Sequence, residues 1–231
     1  MIKVVMLCHP SSKDLVSKKA FRSKHVDLIK ISCGTTKVKG VHLSESNDFF
    51  PTYASLNSGL FETSVILTVW EHADQLIGDN DVAILHTDIT ANFKASYIWN
   101  NINRALRKNE NSPIGMTISS SYANTFDKWL IPDTFPMSFK NDPMKKHAFD
   151  NNIFVWDFIK KYDYDIYQWA MDTSPRMIYS HQFACTRKVF DTLGHNLHAT
   201  VSKLRLKDVG FWTPHMFERL IGLYLARIGD P

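Results

Sequence analysis

The residues best suited to chemistry stand together at His86-Thr87-Asp88. On an extended chain, residues two apart point to the same side, so His86 and Asp88 face one way. Imidazole and carboxylate are both donors that a divalent cation accepts. The pair can hold a metal against a diphosphate. The plainer alternative is that Asp88 caps the next turn and His86 is a satisfied core histidine. A closer match to a paired-carboxylate motif, Asp79-Asn80-Asp81, comes before the apolar run rather than after it, and reads as an Asp/Asn turn. Glu218, beside Arg219, falls in the first turns of the last helix. There the helix dipole favours a carboxylate, which could serve as a base or as a ligand to a sugar hydroxyl. Asp208 and His215 lie upstream of it. A surface or capping role is the competing reading. His181 and Gln182 interrupt an apolar stretch and either line a cleft or are satisfied by backbone hydrogen bonds.

These residues need elements to position them. Val82-Ala83-Ile84-Leu85 is four apolar residues in a row, the pattern of a strand buried on both faces. His86-Thr87-Asp88 sits at its carboxyl end, where open α/β sheets bind ligands. Residues 2–8 read as another buried strand and 26–32 as a third, with 35–43 strand or extended loop. Residues 14–24 read as a polar helix and 44–58 as a loop. From Leu60 to Leu76 apolar residues recur at helical spacing, with Phe61, Val65, Val69 and Ala73 four apart. Helices are also expected over 94–108, 123–130, 152–161 and 187–197, where Gly194 weakens the end. Residues 114–119 and 177–186 read as strands. Thr213-Pro214 opens a last helix well, with Thr as N-cap and Pro at the first position. Trp129, Trp156 and Trp169 are stacking platforms for sugar rings or simply core residues. Strands alternating with helices in the first half imply a largely parallel sheet.

Bulk properties narrow the function classes. The chain has 231 residues, 44% of them apolar and 22% charged, and a net charge of +4. That is ordinary for a globular domain and too mildly basic for a nucleic-acid binder. The densest basic stretch, Lys18, Lys19, Arg22 and Lys24, reads as a solvated helix face. No apolar run approaches the ~20 residues of a membrane span, and the N-terminus reads as a strand rather than a signal peptide. Three scattered cysteines, Cys8, Cys33 and Cys185, suit a reducing cytoplasmic setting and no disulfide framework. The exit of the first strand, Cys8-His9-Pro10-Ser11-Ser12-Lys13, has neither the dinucleotide nor the Walker pattern, and no serine nucleophile elbow is present.

Several segments resemble one family. Phe61-Glu62-Thr63, Thr68-Val69-Trp70 and Ile84-Leu85-His86 stand at the spacing of the Glu-Leu-Thr, Tyr-Trp-x-Trp and His-Tyr-Arg-Arg elements of bacterial and viral polysaccharide glycosyltransferase-like domains. Gln182 through Phe190 resembles that family's strand-then-helix segment. Phe211 through Leu220, with Glu218-Arg219, resembles its closing helix. The likeness covers residues 60–90 and 180–226. The chain departs from it at His86-Thr87-Asp88-Ile89, which is more similar to the metal-binding Asp-x-Asp of GT-A glycosyltransferases, with His in place of the first Asp.

The resemblance implies an α/β, GT-A-like fold: a Rossmann-like, mainly parallel sheet flanked by helices, with a smaller irregular acceptor-side region. It implies one glycosyltransferase domain over 1–231, with a nucleotide-sugar half (1–119) and an acceptor half (120–231), such as could be cut from a longer protein. The donor would be a nucleotide diphosphate sugar, a UDP-sugar in the first instance, and the acceptor a glycan or glycoprotein. Cys8, His9, Pro10, Ser11, Glu62 and Thr87 would line the donor. Asp88 and His86 would hold Mn2+ or Mg2+, and Glu218, with Asp208 behind it, would be the acceptor base or sugar ligand. Two other functions fit the residues: a non-catalytic carbohydrate- or nucleotide-binding module, and a metal-dependent phosphate-ester hydrolase, which needs more carboxylates near Asp88.

Overall fold

The computed structural model describes residues 1–8, 26–33, 39–44, 60, 62–87, 95–108, 114–115, 156–173, 175, 181–205 and 213–229. Expectations for 14–24, 45–58 and 123–130 fall outside these residues.

Two apolar segments build the centre. Strand β1 (Ile2–Cys8) and strand β4 (Asp81–His86) carry apolar residues on both pleat faces and are buried over most of their length. They pair in parallel from Ile2↔Asp81 to Leu7↔His86. On the other side of β1 lies β2 (Val26–Ser32), also parallel, followed by the two-residue strand β3 (Leu43–Ser44). Beyond β4, β6 (Phe183–Cys185) runs antiparallel, and β5 (Ile114–Gly115) closes the edge. The sheet has six strands in the order β3-β2-β1-β4-β6-β5. It is a mixed, mostly parallel α/β sheet. The chain steps outward from β1 to β3, then returns to place β4 on β1's free side. The strand order therefore reverses between β1 and β4, which makes their carboxyl ends a topological switch point.

The pleat sorts the core into two layers. Val5, Leu7, Ile31, Val82, Ile84, Phe183 and Cys185 face α1 (Glu62–Glu71), α5 (Arg187–Val201) and α6 (Thr213–Gly229). Val4, Met6, Cys8, Ala83, Leu85 and Ala184 face α3 (Ala95–Lys108), which meets them with Ile98 and Ile102, one turn apart. Helix α1 differs from the one-faced helix that its four-residue spacing predicts. Every residue from Thr63 to Val69 is buried, because the sheet lies below it and α5 and α6 lie above. Its polar members are satisfied within the helix where they can be: Thr68 Oγ1 donates to the Ser64 carbonyl at 2.9 Å. His72 leaves helical geometry, so the expected single helix breaks, and a short α2 (Ala73–Leu76) follows.

Helix α5 runs four residues past its expected end at Leu197. Gly194 does not weaken it; a Cβ there would stand 2.1 Å from Trp70 Cγ. The glycine lets α5 close on the indole, which His195 meets edge-on at 4.9 Å between ring centroids. Thr186 starts the helix directly after β6, its side chain accepting from the Val189 N–H. A helical stretch at 156–162 precedes α4 (Tyr164–Thr173), with Asp163 capping the Ile166 N–H at 3.1 Å. The other Asp163 oxygen accepts from Tyr224 Oη, which also shares a 2.7 Å bond with Thr200 Oγ1. This knot ties α4, α5 and α6 together. Among the described residues no helix is long and apolar enough to cross a membrane. All three cysteines are buried and form no disulfide.

Candidate functional site

The site forms where the parallel strands end. In β4, residues 82, 84 and 86 share a face, so His86 points into the layer of α1 and α6. Thr87 continues the pairing, its N–H donating to the Leu7 carbonyl at 3.2 Å, and it is almost wholly buried. The His86 N–H donates to Gln182 Oε1 at 3.3 Å. The residue just before Gln182, His181, brings its ring nearly parallel to His86, 23° between planes and 5.9 Å between centroids. His181 Nε2 bonds Thr63 Oγ1 at 3.2 Å, across 118 residues of sequence. His86 Nε2 is buried and has no hydrogen-bond partner among the described residues.

Charge surrounds this pair. Glu62 and Glu218 lie close enough to favour a proton on His181, and His86 and Arg219 close enough to oppose one. Burial outweighs all four and lowers the His181 pKa to about 4, so the imidazole is neutral at physiological pH. Glu218 and Arg219 form an ion pair, each about three-quarters buried. Glu62 opens α1, where the helix dipole favours a carboxylate. Glu218 is the sixth residue of α6, beyond the first turn, so the expected dipole advantage is small there. Arg219 balances its charge instead.

The structure brings together Glu62, His86 and Glu218 of the expected site, with Thr87 next in the chain. Cys8 is adjacent in the sheet but its thiol points into the opposite layer, toward α3. Burial raises that thiol to about 11, so it is protonated at neutral pH. His9, Pro10, Ser11, Asp88 and Asp208 lie outside the described residues. Three residues of the cluster were not among the expected site residues: Thr63, His181 and Arg219. His181 and Gln182 did carry a signal, as polar residues interrupting an apolar run. Thr63 carried none beyond its place beside Glu62.

Among the described residues no group of three His, Cys, Asp or Glu side chains can hold a metal. The buried, unpartnered Nε2 of His86 is nonetheless the donor a divalent transition ion accepts. The rival turn, Asp79-Asn80-Asp81, lies at the amino end of β4. Five residue steps at about 3.3 Å place it roughly 17 Å from His86. Asn80 there folds back on the Ile77 carbonyl at 2.7 Å. Compared with family models, with curated proteins and with solved structures, the chain matches none.

Proposed function

We propose that the chain is a metal-dependent glycosyltransferase of GT-A type, acting in the cytoplasm. It would move a sugar from a nucleotide diphosphate sugar, most simply a UDP-sugar, to a glycan or glycoprotein acceptor. The observation that carries this reading is the convergence of Glu62, His86, His181, Glu218 and Arg219 at the carboxyl ends of β1 and β4, the switch point of the sheet. Two carboxylates against one guanidinium leave the site formally acidic. An anionic diphosphate approaching it needs a cation beside it. His86 and Asp88 would hold Mn2+ or Mg2+ there, and the ion would supply charge neutralisation for the leaving diphosphate.

This chain's own residues do the rest. Glu218 is the candidate to take the acceptor hydroxyl's proton or to orient a sugar hydroxyl, with Arg219 fixing its carboxylate. Glu62, at the start of α1, faces the same space and suits a sugar hydroxyl. Asp208 is a further acidic candidate on the acceptor side. The test is product analysis with a panel of nucleotide sugars, Mn2+ and glycan acceptors. Sugar transfer that Glu218→Gln suppresses supports the reading. Hydrolysis without transfer, or metal-independent glycan binding without turnover, contradicts it in favour of a hydrolase or a binding module.

A further inference from the structure

We infer that His181, anchored by Thr63, is a positioning residue that sets the orientation of the His86 ring. The packing behind this is independent of function; its consequence for a donor rests on the reading of His86 as a ligand at a diphosphate site. Three elements converge on His86. Strand β4 presents the residue at its last position, in register with Leu7. Gln182 Oε1 accepts from the His86 backbone N–H and fixes the strand end. His181 lays its ring alongside at 23°. A histidine at a strand terminus otherwise rotates about both side-chain torsions, and holding one rotamer costs entropy at binding. A flat neighbour fixed beforehand removes that cost.

His181 suits the task because it is itself immobile. It is almost fully buried, and Thr63, wholly buried in the middle helix layer, holds its Nε2 at 3.2 Å. Its Nε2 is engaged by Thr63 Oγ1 and so is not offered to a cation. His86 Nε2, left without a partner among the described residues, is the atom that this orientation frees. The Thr63 hydroxyl thereby acts on the site through His181, without touching any ligand.

The experiment uses the full chain labelled with 15N-histidine, free of metal, with wild type compared to Thr63→Val, His181→Phe and His181→Ala. The expected result is a single set of His86 ring nitrogen shifts in wild type. Those shifts should move and broaden in Thr63→Val and His181→Ala, and less in His181→Phe, which keeps a flat ring. Mn2+ binding in the presence of UDP, followed by electron paramagnetic resonance, should weaken in His181→Ala at temperatures well below each variant's Tm. Unchanged His86 shifts in all folded variants overturn the inference, whatever the chain binds. His86 shifts that respond as expected in a wild type that binds no Mn2+–UDP uphold the positioning role and reject the donor-site reading instead.

Discussion

The two ends of β4 carry similar residue types and do opposite things. At the amino end, Asp79, Asn80 and Asp81 follow Gly78, whose φ of 60° turns the chain into the strand. The polar groups there are taken up in turn and ion-pair contacts. Asn80 bonds the Ile77 carbonyl, and Arg187 reaches the Gly78 carbonyl while pairing with Asp74 at 2.9 Å and Asp191 at 2.8 Å. At the carboxyl end the partners come from afar: Thr63 from α1, His181 and Gln182 from the approach to β6, Glu218 and Arg219 from α6. One end closes a turn. The other gathers acid, base and guanidinium around two buried rings, leaving His86 Nε2 unpaired among the described residues. Position along the strand, more than the spacing of the carboxylates, separates the two ends.

The largest effects should come from exchanging the two ends. Asp88→Ala is expected to abolish metal-dependent transfer, as is removal of the metal with EDTA. Asp79→Ala, the same change at the other end, should leave turnover near wild type. Assays of both variants at saturating Mn2+ check this, and equal losses would erase the distinction between the ends. Glu218→Gln should lower kcat by about 10²–10⁴-fold, the usual worth of a general base, with Tm little changed. A loss confined to KM would reassign Glu218 to substrate binding.

A pH series probes the buried ring. His181 titrates near 4 in the folded chain against 6.5 ordinarily. The unfolded chain takes up a proton below about pH 6.5 that the folded chain refuses until about pH 4. Stability from this group is thus full above pH 6.5 and drains as pH falls toward 4, by about 3 kcal/mol in all. Urea unfolding in EDTA between pH 7 and 4.5 measures it, with His181→Gln as the reference lacking that slope. Parallel curves for the two proteins would remove His181 as the buried titrating group. The smallest change lies away from both ends. Gly194→Ala should cost about 1–3 kcal/mol by overpacking Trp70, yet leave donor affinity unaltered once the protein is folded. A change in donor affinity would join this contact to the site.

Much of the scaffold is legible in the residues because β1 and β4 must be buried on both faces, and their unbroken apolar runs say so. The helix over 95–108 is legible for the opposite reason, since Ile98 and Ile102 stand out against polar neighbours. Helix α1 is less so. Thr63, Ser64 and Thr68 are polar, yet the layers above and below bury them. Gly194 reads as a helix weakness because its reason is an indole 124 positions earlier. Strand β6 lies within the stretch 177–186 that reads as a strand, but at three residues it is too short to show that it runs antiparallel. The site divides in the same way. His86 and Glu218 stand out by residue type next to an element end. His181 needs its contact with Thr63, and Arg219 its closeness to His181, before either acquires a role. Local periodicity holds no information about such long-range meetings.

The central claim is that the carboxyl end of β4 is a metal-assisted donor site. Thermal unfolding with a panel of nucleotide sugars, with and without Mn2+, tests it most directly. A Tm that rises with the concentration of one nucleotide sugar only when Mn2+ is present, and fails to rise in His86→Ala and Asp88→Ala, is the expected result. Stabilisation that is indifferent to Mn2+ and to both substitutions would contradict it.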